Sequence, residues 1–328
     1  MREYSVIPTF RGPLAAYLTK FLAEKHAVGF RYRIQTTILQ AFDRFLQETG
    51  LTDVALPQSC VEAWTAKRAS EQPATHEYRV SLTREVARYL QRQGIEAYVP
   101  AARMSPQRVY TYQPYIFTST EVQTLLTAVE ELPPHHSTPY RHQILPVIFQ
   151  ILYGCGLRLG EVLPLRWRAV DLAHGILVLR DAKGHQDRLV PMAASVTQYV
   201  QQYARLNITS HAPDALVFPA PDGGPYSGVR IYALFRRALW AAGISHGGRG
   251  RGPRIHDLRH TFAVHRLMAW YRAGVDINAM LPVLATYMGH RSIQGTQRYL
   301  RLTAELYPDL ITTLDLNYGH VVPGKDAQ

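Results

Sequence analysis

Along the first hundred positions, apolar residues recur at helical rather than strand spacing. Leu14, Leu18, Phe21 and Leu22 share one helical face, as do Ile34, Ile38, Ala41 and Phe45, and later Val80, Val86 and Leu90. Gly50 and Pro57 interrupt these runs, and Val61 with Trp64 marks a short helix between Pro57 and Pro73. The pattern predicts four helices over 13–93, packed as an all-α unit.

The periodicity stops near Tyr98. The stretch VPAARMSPQRVYTYQPY holds three prolines, Arg103, Arg108 and no acid, the composition of an extended basic linker. Thr118 and Glu121 then have capping-box spacing, where a second domain opens. The expected organisation is an N-terminal helical domain (1–104), a linker (105–117), a larger domain (118–302), and a tail helix with a disordered end (303–328).

Within the larger domain, 176–180 and 188–192 read as β-type runs joined by the turn-rich DAKGHQD. Helices are expected near 120–130, 141–153, 159–167, 194–205, 229–242, 255–272, 278–288 and 304–315. The longest apolar run, 144–157, contains Pro146 and Gln150, is too short to span a bilayer, and reads as a buried helix. The fold class is mainly α with a small β-sheet, an α+β domain behind an all-α bundle.

Composition narrows the function. The chain has 328 residues, 47% hydrophobic and 19% charged, an ordinary globular balance with room for two cores. A net charge of +11, carried mostly by arginine, suits work beside a polyanion. Between Val229 and Arg272 the sole acid is Asp257, against Arg230, Arg236, Arg237, Arg249, Arg251, Arg254, Arg259, Arg266 and Arg272. Such a one-signed stripe neutralises phosphates, and the glycines of HGGRGRGPR (246–254) let backbone approach a sugar-phosphate chain. Cys60 and Cys155 have no metal-ligand spacing and fit free thiols in a reducing cytosol. The start, MREYSVIPTFRG, has no apolar signal core, so a cytoplasmic location is expected.

Four segments carry candidate chemistry. In YGCGLRLGEVLPLRW, Arg158 follows a glycine-broken turn, and Glu161 stands one helical turn on, placed to brace it. Lys183 lies in the hairpin link, where a mobile ammonium can protonate a leaving oxygen. In IHDLRHTF, His256 and Arg259 project from one helical face and suit a transferring phosphoryl group. In YMGHRSIQGTQRYLRL, His290 follows Gly289 at a helix end, and Tyr299 comes nine residues later. A phenol titrating near ~10 needs strongly positive surroundings to act as a nucleophile. His256 and His260 also have zinc-ligand spacing, but Asp257 stands where the metalloprotease pattern needs Glu, and no third ligand is evident.

In order, these segments resemble the tyrosine recombinase (phage integrase) family from about residue 118 to 302. GLRLGE resembles its first arginine motif, with Arg158 and its acidic companion Glu161. DAKGHQDRLVPM resembles its hairpin lysine motif and maps Lys183. HDLRHTFA resembles its His-x-x-Arg box and maps His256 and Arg259. MGHRSIQGTQRY resembles its last box and maps His290 and the nucleophile Tyr299. The 31 residues from Arg259 to His290 are a long form, similar to recombinases carried by transposons and other mobile elements. Gly295 stands where a hydroxyl residue is more usual, and Leu300-Arg301 follows Tyr299 in place of Thr-His.

The resemblance implies a site-specific recombinase that cuts and rejoins double-stranded DNA through a 3′-phosphotyrosyl intermediate. Arg158, Arg259 and His290 would hold the scissile phosphate, His256 would manage the tyrosine proton, and Lys183 would protonate the departing 5′ oxygen. No metal, ATP or other cofactor is implied. The N-terminal domain corresponds to the family's core-DNA-binding domain, and Arg108, Arg249, Arg251 and Arg254 are candidate DNA contacts. Strand exchange implies a homotetramer on two DNA sites. Leu306, Leu310 and Leu314 form an apolar stripe that would dock on a neighbouring subunit or on its own domain. Two alternatives share part of this pattern: a type IB-like topoisomerase, and a catalytically silent DNA-binding paralogue.

Overall fold

In a computed structural model of the chain, the residues described are 7–30, 32–101, 113–180, 187–206, 210–248, 252–290, 294–297 and 299. Lys183, Arg108, Arg249, Arg251 and the expected tail helix lie outside them. The chain divides into two compact units, residues 1–110 and 111–328.

Among the described residues, the first unit has four helices: α1 (Ala15–Ala27), α2 (Arg33–Glu48), α3 (Gln58–Thr65) and α4 (Pro73–Arg92). Leu14, Leu18, Phe21 and Leu22 are buried as the spacing predicts, and so are Val80, Val86 and Leu90. Helix α2 is rotated from the expected face. Its buried residues are Leu39, Phe42, Asp43 and Leu46, while Ile34 is 68% exposed. Asp43 explains the rotation. Its carboxylate accepts the backbone N–H groups of Arg11 (2.8 Å) and Gly12 (3.0 Å), so a charged residue is drawn to the inner face by donors that need it.

The second unit opens on α5 (Ser119–Glu130). The Thr118 hydroxyl accepts the Glu121 N–H at 3.1 Å, and the Glu121 carboxylate accepts the Thr118 N–H at 2.8 Å. Tyr115, Ile116 and Phe117, placed by sequence in the linker, pack within this unit, and the Phe117 N–H donates to Thr261 Oγ1. Helix α6 (Arg141–Gly154) is the apolar run with Pro146 inside it, and it packs against α5 and three later helices.

Helix α7 (Leu159–Val162) is one turn, shorter than expected. Pro164 has no N–H to continue it, and the chain leaves through Leu165, whose carbonyl accepts from Val217. A 3-10 turn (Trp167–Ala169) leads into a three-stranded antiparallel sheet of β1 (Val170–Asp171), β2 (Ile176–Leu179) and β3 (Arg188–Pro191), in that spatial order. The register pairs Leu177 with Val190 and Leu179 with Arg188.

The remaining described helices are α8 (Ala194–Arg205), α9 (Gly228–Ala241), α10 (Asp257–Arg272), α11 (Ile277–Met288) and α12 (Gln294–Gln297). Helix α10 is buried on every side over 257–264, which makes it the central helix of the unit rather than a surface one. Phe262, Val264 and Leu267 pack with Leu281, Leu284 and Met288 of α11 and with Tyr299. Among the described residues, no helix is long and apolar enough to cross a membrane.

Candidate active site

Arg158 stands at the N-terminus of α7 in an extended conformation, and its own helix turns Glu161 back towards it. The Glu161 carboxylate accepts the Arg158 backbone N–H at 2.9 Å and its Nη1 at 2.8 Å. It also accepts Nη1 and Nη2 of Arg188, at 3.1 and 3.0 Å, in a two-point ion pair. Burial alone would raise the Glu161 pKa. The Arg188 hydrogen bonds, the Arg158 N–H and the two guanidinium charges outweigh it and hold the carboxyl below its usual range.

Arg188 comes from β3, where Arg188 and Val190 face inward and Leu189 is 61% exposed. Its Nε donates to the Tyr287 carbonyl at 2.9 Å, and the Tyr287 hydroxyl donates to the Pro191 carbonyl at 2.9 Å. The hairpin base is thereby tied to the end of α11. That end closes on Gly289, whose φ of +64° is the left-handed conformation glycine adopts at a helix stop.

The two predicted arginines meet at this stop. Arg158 Nη2 donates to the Gly289 carbonyl at 3.1 Å, and Arg259 Nη2 donates to the neighbouring Met288 carbonyl at 2.5 Å. Arg259 Nη1 donates to the Gly156 carbonyl at 2.6 Å, two residues before Arg158. Arg259 is 1% exposed. Burial, helped by the Arg158 charge and opposed by Tyr299 and Glu161, pushes its pKa down to about 10, which leaves it charged at neutral pH.

His290 follows the stop directly, and its Nδ1 is 2.7 Å from Thr296 Oγ1. Tyr299 is 1% exposed, and its ring stacks on His290 with centroids 6.0 Å apart. Its hydroxyl lies 3.1 Å from Nδ1 of His260. His256, one turn earlier on α10, is exposed and meets the His260 ring edge to face at 4.9 Å. Among the described residues, no group of three or more His, Cys, Asp and Glu side chains is placed to hold a metal.

Of the residues singled out by sequence, Arg158, Glu161, Arg259, His290 and Tyr299 come together here. His256 lies at the exposed start of the same helix. Arg254 is exposed, with its N–H bonded to Asp257. Two residues were not anticipated. Arg188 reads as part of a β run, and its only signal is a charge on the inward phase of the strand. His260 reads as a possible zinc ligand rather than as a neighbour of the tyrosine.

A family profile described as the phage integrase family matches residues 116–305. The integrase/recombinase y4rB of Sinorhizobium fredii is 29% identical over 314 residues, covering 94% of this chain and 97% of that protein. Tyrosine recombinase XerC of Pseudomonas fluorescens is 30% identical over 228 residues, covering 68% of each chain. A solved structure of the Tn1549 transposon integrase aligns with a TM-score of 0.62 at 16% identity, covering 85% of this chain and 93% of that one. A phage lambda integrase structure aligns with a TM-score of 0.59 at 15% identity, covering 87% and 94%. Since the profile spans more than half of the sequence and runs through Tyr299, the chain belongs to the phage integrase family, the tyrosine recombinases.

Proposed function

We propose that this protein is a site-specific DNA recombinase of transposase type, which breaks and rejoins double-stranded DNA through a 3′-phosphotyrosyl bond to Tyr299. The observation that carries the reading is the convergence of Arg158 and Arg259 on two successive carbonyls, Gly289 and Met288, immediately before His290. The phenol of Tyr299 is close enough to Arg259 to act on its charge.

Charge supports the same reading. Two guanidiniums, of Arg158 and Arg188, bond to one carboxylate, that of Glu161, and a third, that of Arg259, lies near enough to feel its charge. The surplus suits a phosphodiester and the further negative charge that builds up as it is attacked. A guanidinium carries five N–H donors, and Arg158 and Arg259 each commit two of their Nη donors to the protein, so both retain donors for non-bridging oxygens.

In the proposed reaction, Tyr299 attacks phosphorus while Arg158, Arg259 and His290 hold the phosphate. Lys183 protonates the departing 5′ oxygen, and Glu161 positions Arg158. A 5′-hydroxyl from a partner duplex then attacks the phosphotyrosine and reseals the strand. The bond energy is kept in the protein–DNA ester, so ATP has no step to drive. Arg108, Arg249, Arg251 and Arg254 contact the sugar-phosphate backbone, and a homotetramer on two DNA sites carries out the exchange, the Leu306, Leu310 and Leu314 stripe docking on a neighbouring subunit or on its own domain. The similar Tn1549 integrase was solved with a circular intermediate DNA and the lambda integrase as a dimer on a core site, which is the kind of substrate proposed.

The test is a nicked suicide duplex taken from the DNA flanking this reading frame. A covalent protein–DNA adduct from the wild type and none from Tyr299→Phe is the expected result. An adduct that survives in Tyr299→Phe rejects Tyr299 as the nucleophile. Plasmid relaxation with no exchange between two sites would assign the protein to topoisomerase chemistry instead.

A further inference from the structure

A tyrosine nucleophile must lose its proton as it attacks, and at neutral pH only about one phenol in a thousand is already ionised. The hydroxyl of Tyr299 is buried with the rest of its ring, so a protein group beside it is placed to receive that proton. Nδ1 of His260 is a basic nitrogen at hydrogen-bond distance, 3.1 Å away, with the ring planes inclined at 55°. His260 is buried and follows Arg259 directly on α10, so the rigid central helix that carries the phosphate clamp also fixes the imidazole.

We infer that His260 is the general base for Tyr299, a deduction that rests on Tyr299 being the nucleophile. His260 begins neutral, with its proton on Nε2 and the Nδ1 lone pair facing the phenol. As the tyrosine O–P bond forms, the phenolic O–H bond breaks and its proton passes to Nδ1. The P–O5′ bond breaks at the other side of phosphorus, and the 5′ oxygen takes its proton from Lys183. Resealing runs in reverse, and the His260 imidazolium returns its proton to the departing phenolate. The proton-handling role that the family resemblance gives to His256 thereby moves one turn along the same helix. His256, exposed and edge-on to His260 at 4.9 Å, lies on the solvent side of that base.

The test measures single-turnover adduct formation on the nicked duplex across pH, for wild type, Tyr299→Phe, His260→Asn and His260→Gln. An Asn side chain can accept the phenol's hydrogen bond but cannot take its proton. His260→Asn should slow cleavage by about 10²–10⁴-fold. It should also lose the part of the wild type's pH dependence that comes from ionisation of the base, so the two pH profiles should differ in shape as well as height. Thermal unfolding and DNA binding identify a misfolded variant, and if Asn fails to fold, Gln carries the comparison.

A second substrate has sulfur in place of the bridging 5′ oxygen, so its leaving group needs no proton. It should restore cleavage by Lys183→Ala and leave both His260 variants slow, since their defect is on the nucleophile's side. A folded His260→Asn with the wild-type rate and pH profile overturns the assignment, and so does its rescue by the sulfur substrate. If the wild type forms no adduct, the phosphotyrosyl reading fails first and this inference goes with it.

Discussion

Arg188 holds Glu161 by two hydrogen bonds, of 3.1 and 3.0 Å, while the same carboxylate braces Arg158 at 2.8 Å. Removing the carboxylate's charge leaves two guanidiniums without their common counter-ion. Glu161→Gln should lower stability by about 3 kcal/mol at neutral pH. The folded carboxyl titrates below its usual range, so this contribution is present above the unfolded value of about 4.3 and disappears as pH falls through the folded value. Urea unfolding at a series of pH values checks this: the gap between wild type and Glu161→Gln should narrow in acid, and a constant gap contradicts it.

Gly289→Ala separates two costs at one position. Its backbone is left-handed, and an added Cβ would stand 2.7 Å from Arg188 Nη1. Gly243 has a similar φ of +68° with nothing within 4 Å of its would-be Cβ. Gly243→Ala should cost only the backbone strain, about 1–2 kcal/mol, and leave adduct formation intact. Gly289→Ala should cost more and should slow adduct formation by displacing Arg188. Equal losses in the two variants would mean that Arg188 gives way freely.

Arg259→Lys tests whether the buried guanidinium has a structural as well as a chemical task. A lysine cannot donate to the Gly156 and Met288 carbonyls from a planar fork. Each carbonyl left without its partner costs about 1–3 kcal/mol. The variant should therefore lose both the adduct and several degrees of melting temperature, a larger loss of stability than Tyr299→Phe, which leaves one buried group, Nδ1 of His260, without its partner.

Cys155 is fully buried, and burial pushes its pKa up to about 12. It stays a protonated thiol throughout the working pH range and out of reach of reagent. Thiol titration of the native protein should label Cys60, which is partly exposed, and reach Cys155 only after denaturation. Rapid labelling of both in the native state would disprove the burial.

The proposed backbone contacts predict a salt signature. If Arg249, Arg251 and Arg254 each neutralise one phosphate, replacing all three with alanine should reduce the slope of log affinity against log salt by about 2.7. Fluorescence anisotropy at several salt concentrations measures it. An unchanged slope would place those three residues away from the phosphates.

The elements of both units were legible because apolar spacing is a local property. Leu14 to Leu22 and Val80 to Leu90 needed no tertiary information. The face of α2 was not legible, because Asp43 is turned inward by N–H groups of Arg11 and Gly12 that lie 32 and 31 residues earlier. Strand β1 has two residues, too few for any periodicity, and α7 is cut short by Pro164. In the site, Arg158, Glu161, Arg259, His290 and Tyr299 were found because their neighbours in sequence mark them. Arg188 and His260 matter through residues 27 and 39 positions away, and such pairings show only when the chain is folded.

Arg259 also bears on how this chain can diverge. It joins the carbonyl that ends the α6 turn to the carbonyl that ends α11, so the fold leans on the side chain whether or not DNA is ever cut. A descendant that abandoned strand exchange and survived as a passive binder would face a smaller demand at Tyr299, where phenylalanine fills nearly the same space and gives up one hydrogen bond. Decay of the activity should then begin at the phenol and reach the Arg259 guanidinium last, so the arginines count as a working site only together with the tyrosine that stands beside them here.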